Sequence, residues 1–276
     1  LRAGQLELKE LHIVDVLPGQ QEVLRGRSYV SIYSPLNDDY RLGGSFEQGG
    51  IRSEYGGAFR GNMASSLRVQ RAPGQLEASA RVPIWTSRLL CSEWLAPANG
   101  GVTAALTKNG RASYELSIKN GLDKAITGAM LLVEDKVTEV KLQSPPGGTR
   151  TIRVHIGSSP YAEGEFVNIS HAEKFQIAVN TRNQAFGDTE GGRIDLSLVN
   201  LVACSFPALL GSSNPAGRPI GDFSSSGGLD LSAHAERGGA VLFLLTDDHA
   251  PIQSTGLFVT KLAQARTLYR IPLEIT

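Results

Sequence analysis

The chain has 276 residues, 41% of them hydrophobic and 20% charged, with 31 glycines and 13 prolines. That length can bury one large β domain or two modest ones, and the composition suits many short strands joined by turns better than a helical bundle. Lysine plus arginine and aspartate plus glutamate number 27 each, so no net field draws the protein to nucleic acid or an anionic surface, and nucleic acid is not an expected partner.

The first hundred residues read as strands. Leu6/Leu8 and Leu11/Ile13 give two short alternations before Pro18-Gly19, and Ser28 to Ser34 gives another before Pro35-Leu36-Asn37-Asp38-Asp39 turns the chain. Residues 43–62 are rich in glycine and read as a long irregular loop or an excursion with weak strands. From Leu76 to Val82 alternation returns, and Ala98-Asn99-Gly100-Gly101 has the composition of an internal boundary.

The stretch from Ser113 to Leu142 is the clearest. Tyr114, Leu116 and Ile118 alternate with polar residues, which predicts a strand with one buried side. Asn120-Gly121 then predicts a turn, because both residues tolerate positive φ. The apolar run Ala129 to Val133, polar Glu134-Asp135-Lys136 and the run from Val137 to Leu142 add two more strands around a second turn. After Pro145-Pro146-Gly147-Gly148, the alternation of Ile152, Val154 and Ile156 predicts another strand.

Ser170-His171-Ala172-Glu173 is a capping box, and the apolar residues that follow share one helical face up to Gly187, so a helix is predicted over about 171–186. Ile194 to Val202 fits strand or helix, and residues 211–228 form a loop rich in Gly, Ser and Pro. Ala240 to Leu245, Leu257 to Leu262 and Tyr269 to Ile275 read as further strands.

The search for chemistry is less productive. None of the five histidines lies in a metal-binding spacing: His12 and His155 are expected on wet strand faces, and His171 starts a helix. Asp247-Asp248-His249 follows a buried strand and could bind a divalent cation or act in acid–base catalysis, although aspartates after a strand are ordinary turn formers and the turn reading is preferred. No G-x-S-x-G elbow and no phosphate-binding loop occurs. Trp85 and Trp94 could stack on sugar rings, but they flank Leu89-Leu90-Cys91, which favours a core role. Cys91 and Cys204 permit one disulfide or remain buried thiols. No metal and no cofactor is expected.

No run approaches the roughly 20 apolar residues that cross a bilayer as a helix. The sequence starts at Leu1 rather than at a methionine, which is expected of a processed product whose parent carries a signal peptide or an anchoring helix.

Several segments, taken in order, resemble the extracytoplasmic β-rich domain of a group of large bacterial membrane-anchored envelope proteins. They are Arg25 to Pro35, Ile84 to Arg88, the Ser117 to Leu142 block, Gly191 to Ser197 after the expected helix, and Tyr269 to Leu273. The resemblance implies an extracytoplasmic location, in the periplasm or at the cell surface, with membrane anchoring outside this segment; it implies no site residues.

The fold expected is mainly β, with β-sandwich (immunoglobulin-like) elements and one or two helices in the C-terminal half. Residues 1–157 are expected to be β-rich, with a sandwich-like part at about 100–157, and 158–276 to form an α+β part that packs with the first or apart from it. The function expected is a non-catalytic interaction or structural module with a protein partner in the cell envelope. The alternatives are a carbohydrate-binding module using Trp85 or Trp94, and a hydrolase using Asp247, Asp248 or His249.

Overall fold

The computed structural model describes residues 6–16, 23–44, 48–53, 67–97, 101–134, 136–155, 167–168, 198–203, 205–206, 231–247, 252–255 and 261–276. The predicted helix over 171–186 and the loop at 211–228 lie outside these residues. The chain divides into two units: Leu1–Asn99 with Asp247–Thr267, and Gly100–Thr246 with Leu268–Thr276. It is mainly β, and among the described residues its helices are short and lie in the C-terminal half.

The first unit is a sandwich. One sheet has the order β1 (Leu6–Val16), β2 (Val23–Ser34), β7 (Thr86–Pro97), β4 (Gln48–Ser53); the other has β15 (Ile252–Thr255), β3 (Asp38–Gly44), β6 (Gln75–Val82), β5 (Leu67–Ala72). Alternation decides which side chains meet between them: Leu6, Leu8, Val30, Ile32 and Leu90 from the first sheet form one cluster with Tyr40, Leu42, Ala78, Ala80 and Val82 from the second. Part of the glycine-rich stretch is thus strand, since Gly43 and Gly44 end β3 and Gln48–Ser53 forms β4.

The two alternations expected at the N-terminus are one continuous strand. From Glu10 to Val14 every residue of β1 is buried, so both faces of the strand are covered there. The expectation for His12 is corrected by this: it is 0% exposed. Leu11 and Ile13 do face the opposite side from His12, but the side shared by His12, Leu6 and Leu8 is the interior of the sandwich.

The second unit pairs β8 (Val102–Lys108), β9 (Ser113–Asn120) and β12 (Thr149–His155) in the order β12-β9-β8. Another run has β13 (Val167–Asn168), β11 (Lys136–Val140), β10 (Ile126–Val133) and β14 (Ala240–Thr246) side by side. The apolar run of β14 is buried along its whole length, as is β10 from Ala129 to Val133. Helix α1 (Leu198–Ala203) packs on β10 at Gly128, where a Cβ would meet Leu198, and helix α2 (Ser232–Glu236) precedes β14. Phe206 meets Phe243 edge to face, with ring centroids 5.8 Å apart. Strand β16 (Lys261–Leu273) contributes to the first unit up to Thr267 and to the second from Leu268.

The strand, turn and two strands between Ser113 and Leu142 are present, but the Asn120-Gly121 turn works differently from the expectation. Neither residue has positive φ. The Asn120 side chain, fully buried, donates to the carbonyls of Lys124, Ser144 and Pro145 at 2.9–3.1 Å and accepts from the Leu122 amide at 3.1 Å. Gly121 is required for a different reason, since a Cβ there would collide with the Gly101 carbonyl. Positive φ appears instead at Glu134, at 58°, in the short β10–β11 connection.

Asn120 therefore holds three loop carbonyls with one amide group. Replacing it by Asp removes both donors and faces a carboxylate with carbonyl oxygens, and a urea titration should show a loss of about 2 kcal/mol or more. A loss under about 0.5 kcal/mol would mean that water replaces the amide.

Candidate functional site

Two places in the first unit bring together residues with chemical potential: a buried polar cluster on β1, β2 and β7, and an exposed apolar surface on the β2–β3 and β6–β7 connections.

The buried cluster follows from register. His12 lies opposite Ser28 across β1–β2, and Gly26 lies opposite Trp94 across β2–β7. These residues and Glu10 continue the face that carries the apolar sandwich core, and each is at most 3% exposed apart from the glycine. The Trp94 indole crosses Gly26 so closely that a Cβ there would fall inside the ring. Trp94 Nε1–H donates to Ser28 Oγ at 2.8 Å, and Ser28 Oγ is 2.8 Å from His12 Nδ1. Because the indole can only donate, Ser28 Oγ accepts from it, and on the far side of the imidazole His12 Nε2 lies 3.7 Å from Glu10 Oε2.

Serine, histidine and glutamate in this order are the groups of a hydrolytic triad. Their setting rules that chemistry out. Ser28 lies mid-strand between partners on both sides, where its backbone belongs to a ladder rather than to a sharp turn with free amides, and its oxygen is committed to the indole. At 0% exposure neither it nor His12 meets a substrate. The cluster closes the polar end of the sandwich.

The opposite face of the same strands carries Arg27, Tyr29, Cys91, Glu93 and Arg52. Arg27, 6% exposed, forms an ion pair with Glu93, and Arg52 approaches the same carboxylate at 3.5 Å. Burial opposes the charge of Arg27, yet Tyr29, Glu93 and Cys91 outweigh it and hold the guanidinium pKa above its ordinary value. Burial likewise raises Glu93, but Arg27 and then Arg52 bring its carboxyl below the usual glutamate range.

The exposed surface is built on a left-handed tryptophan. Pro83, Ile84, Trp85 and Thr86 form a turn closed by Thr86 N–H to the Pro83 carbonyl at 3.2 Å and by Thr86 Oγ1 to the same oxygen at 2.7 Å. Trp85 occupies the third position with φ 58°, where glycine or asparagine is preferred, at a cost of about 1–2 kcal/mol for a residue with a Cβ. Its amide donates to Ser34 O at 2.8 Å, which fastens the turn to the end of β2. Ser34, fully buried, bonds the Leu36 amide and carbonyl and the buried Tyr40 hydroxyl, and so fixes the neighbouring connection. Leu36, Ile84 and Trp85 are left 46%, 50% and 58% exposed.

The residues singled out from the sequence do not converge. Trp85 is at this surface, whereas Trp94 is inside the buried cluster, where no sugar can stack on it. Asp247 is exposed and paired with Arg266 at 3.1 Å; Asp248 and His249 lie outside the described residues. Cys91 is buried on β7, and Cys204 lies outside the described residues. No group of three or more metal-ligating side chains occurs among the described residues, and none of their helices is long and apolar enough to cross a membrane. Sequence reasoning missed Ser34, Tyr40, Leu36 and Ile84; the Pro35 and Pro83 beside them are turn signals but do not announce exposure.

No family model matches the sequence, and no curated protein matches it. Among solved structures, the chain is similar to the zebrafish (Danio rerio) Fcho1 mu-homology domain with a bound Eps15 peptide, with TM-score 0.42 and 8% identity over 99% of this chain and 100% of that one. It is also similar to the yeast delta-COP-I mu-homology domain complexed with a Dsl1 WxWxV peptide, with TM-score 0.32 and 7% identity over 99% and 98% of the two chains. At these values neither likeness says what this chain binds.

Two predictions follow from the β2–β7 region. Gly26→Ala should destabilise by roughly 1–3 kcal/mol through overpacking, and combining it with Trp94→Leu should cost less than the sum of the two single changes; strict additivity in the cycle would place the ring elsewhere. Glu93 stabilises the fold only while ionised. The stability difference between wild type and Glu93→Gln should therefore be level near pH 7 and shrink as pH falls below about 4.3 and on through the lower folded-state pKa. Because Glu93 is half exposed, the level difference should be under about 1 kcal/mol. A difference that grew on acidification would reverse the assignment.

Proposed function

We propose that the chain is a non-catalytic module that binds a protein partner through the Leu36–Ile84–Trp85 surface. The observation that carries this reading is Trp85 itself, a large aromatic held outward by a backbone conformation that costs free energy and contributes nothing to the core. Strain of this kind persists where surrounding structure enforces it and clusters at binding sites. Exposed aromatics beside aliphatic residues are the usual anchors of protein interfaces.

The same geometry disfavours the carbohydrate reading. Sugar recognition needs hydroxyl-facing hydrogen-bond groups around the stacking ring. The hydroxyls of Ser34 and Thr86, which hold the two connections together, are engaged internally, and the exposed large side chains described there, Leu36 and Ile84, are apolar. The hydrolase reading has lost its support among the described residues, because Asp247 is an ion-paired surface group.

The cellular setting in this proposal rests on the sequence resemblance: an extracytoplasmic, immunoglobulin-like part of a bacterial envelope protein, tethered to the membrane by a segment outside this chain. Reporter fusions to the complete reading frame test it. Reporter activity confined to the cytoplasm would remove the envelope assignment without touching the binding surface.

Peptide display against the wild type, counter-selected on Trp85→Gly, tests the surface, with a glycan array run in parallel. Trp85→Gly should match the wild type in stability or exceed it by up to about 1 kcal/mol, since it relieves the left-handed strain. It should nevertheless lose the selected peptides. A glycan hit abolished by the same substitution would favour the carbohydrate reading; a stability loss of about 3 kcal/mol or more would make Trp85 a core residue.

A further inference from the structure

The sheet β12-β9-β8 of the second unit has two edges, and the chain treats them differently. Along β8 the C-terminal residues already lie as an extended segment: Leu106 bridges Ile275 in parallel, Lys108 N–H donates to Thr276 O at 2.8 Å, and Thr276 N–H donates to Leu106 O at 3.0 Å. At the other edge the sheet ends with β12, and among the described residues no strand lies beyond it.

The phase of the exposed edge follows from one bond. Asn120 N–H donates to Gly148 O at 2.9 Å, and β12 then pairs antiparallel with β9 from Thr149↔Lys119 to His155↔Ser113. In an antiparallel ladder successive residues alternate in direction, so the N–H and C=O groups of Thr149, Thr151, Arg153 and His155 point away from β9. The side chains of these four are exposed on one face, while Ile152, half-buried, and Val154, 1% exposed, line the other with Arg150 at its rim.

The residues of β12 itself carry charge of one sign. Arg150 and Arg153 stand on β12 without an acid, and Lys119 is opposite Thr149. Glu115, 3.8 Å from the largely exposed Arg153, is the one acid of the β9 residues paired with β12. Arg150 and Lys119 make no ion pair among the described residues. Edge strands are commonly protected by such charges, which repel a second copy carrying the same two arginines. On its own face Arg153 favours an acid on an incoming strand, because cross-strand ion pairs form between directly facing positions.

We propose that β12 is a docking edge for an extended segment of a partner protein that alternates acidic and apolar residues. Backbone bonds to Thr149, Thr151, Arg153 and His155 supply the ladder. The acidic side chains lie on the Arg153 face, and the apolar ones continue the face of Ile152 and Val154. The surface is separate from the one at Trp85, and its readout is different, so failure of either leaves the other standing.

The test uses the full chain and a short capped peptide alternating glutamate with valine. Fluorescence anisotropy should show saturable binding that weakens with salt, and amide exchange should slow at Thr151 and Arg153 when the peptide is present. Arg153→Glu should weaken binding by on the order of ten-fold or more, while the exposed Arg68→Glu on β5 leaves it unchanged. Equal binding of a lysine–valine peptide would overturn the proposal. So would slow exchange of the same amides in the free protein, which would show the edge covered by the chain itself, or their protection on concentration-dependent dimerisation, which would make the occupant a second copy.

Discussion

The Trp94 ring lying on Gly26 is the contact on which the first unit is organised. Leaving a polar group unmet in a sheet buried on both faces is costly, and β1, β2 and β7 carry Glu10, His12 and Ser28 into the sandwich interior. The indole solves two problems together: it fills the space that a missing Cβ leaves, and its N–H satisfies the serine that in turn orients His12. Once that end is closed, the β2–β7 register is fixed over its full length, and the opposite end of the same pair is where Ser34 meets Thr86.

Serine, histidine and glutamate of the β1–β2 cluster are sealed inside, while Leu36, Ile84 and Trp85 are left outside. The two tryptophans show the division. Trp94 has its polar atom bonded and its ring covered, whereas Trp85 is presented by a turn whose backbone strain the adjoining strand enforces through the Ser34 carbonyl. Rigid presentation lowers the ordering entropy that a partner has to offset, which is why a strained turn on a well-packed strand end suits binding better than a mobile loop. At the second unit, the edge of β12, beyond which no strand lies among the described residues, offers a different mode of contact, made from backbone groups and selected by charge.

Much of the strand content was legible because alternation reports a face that is buried against one that is wet. It worked for Leu76 to Val82 and for Tyr114 to Ile118, where the structure has that arrangement. It misled at His12, because alternation says nothing about a strand covered on both sides. The Asn120-Gly121 pair was readable as a turn but not as a mechanism: the same two letters serve positive φ in one context and a side-chain clamp in another. The site was less legible still. Neither the left-handed backbone of Trp85 nor the burial of Trp94 has a local signature, since both depend on which strands end beside them.

Fluorine NMR on protein labelled with fluorotryptophan is the most direct measurement, because the chain has two tryptophans and each reports one half of the account. The Trp85 resonance should broaden with a soluble paramagnetic agent and shift when a display-selected peptide is added, while the Trp94 resonance stays unaffected by both. A shielded Trp85, or a peptide that moves the Trp94 resonance and leaves Trp85 unchanged, would contradict the account.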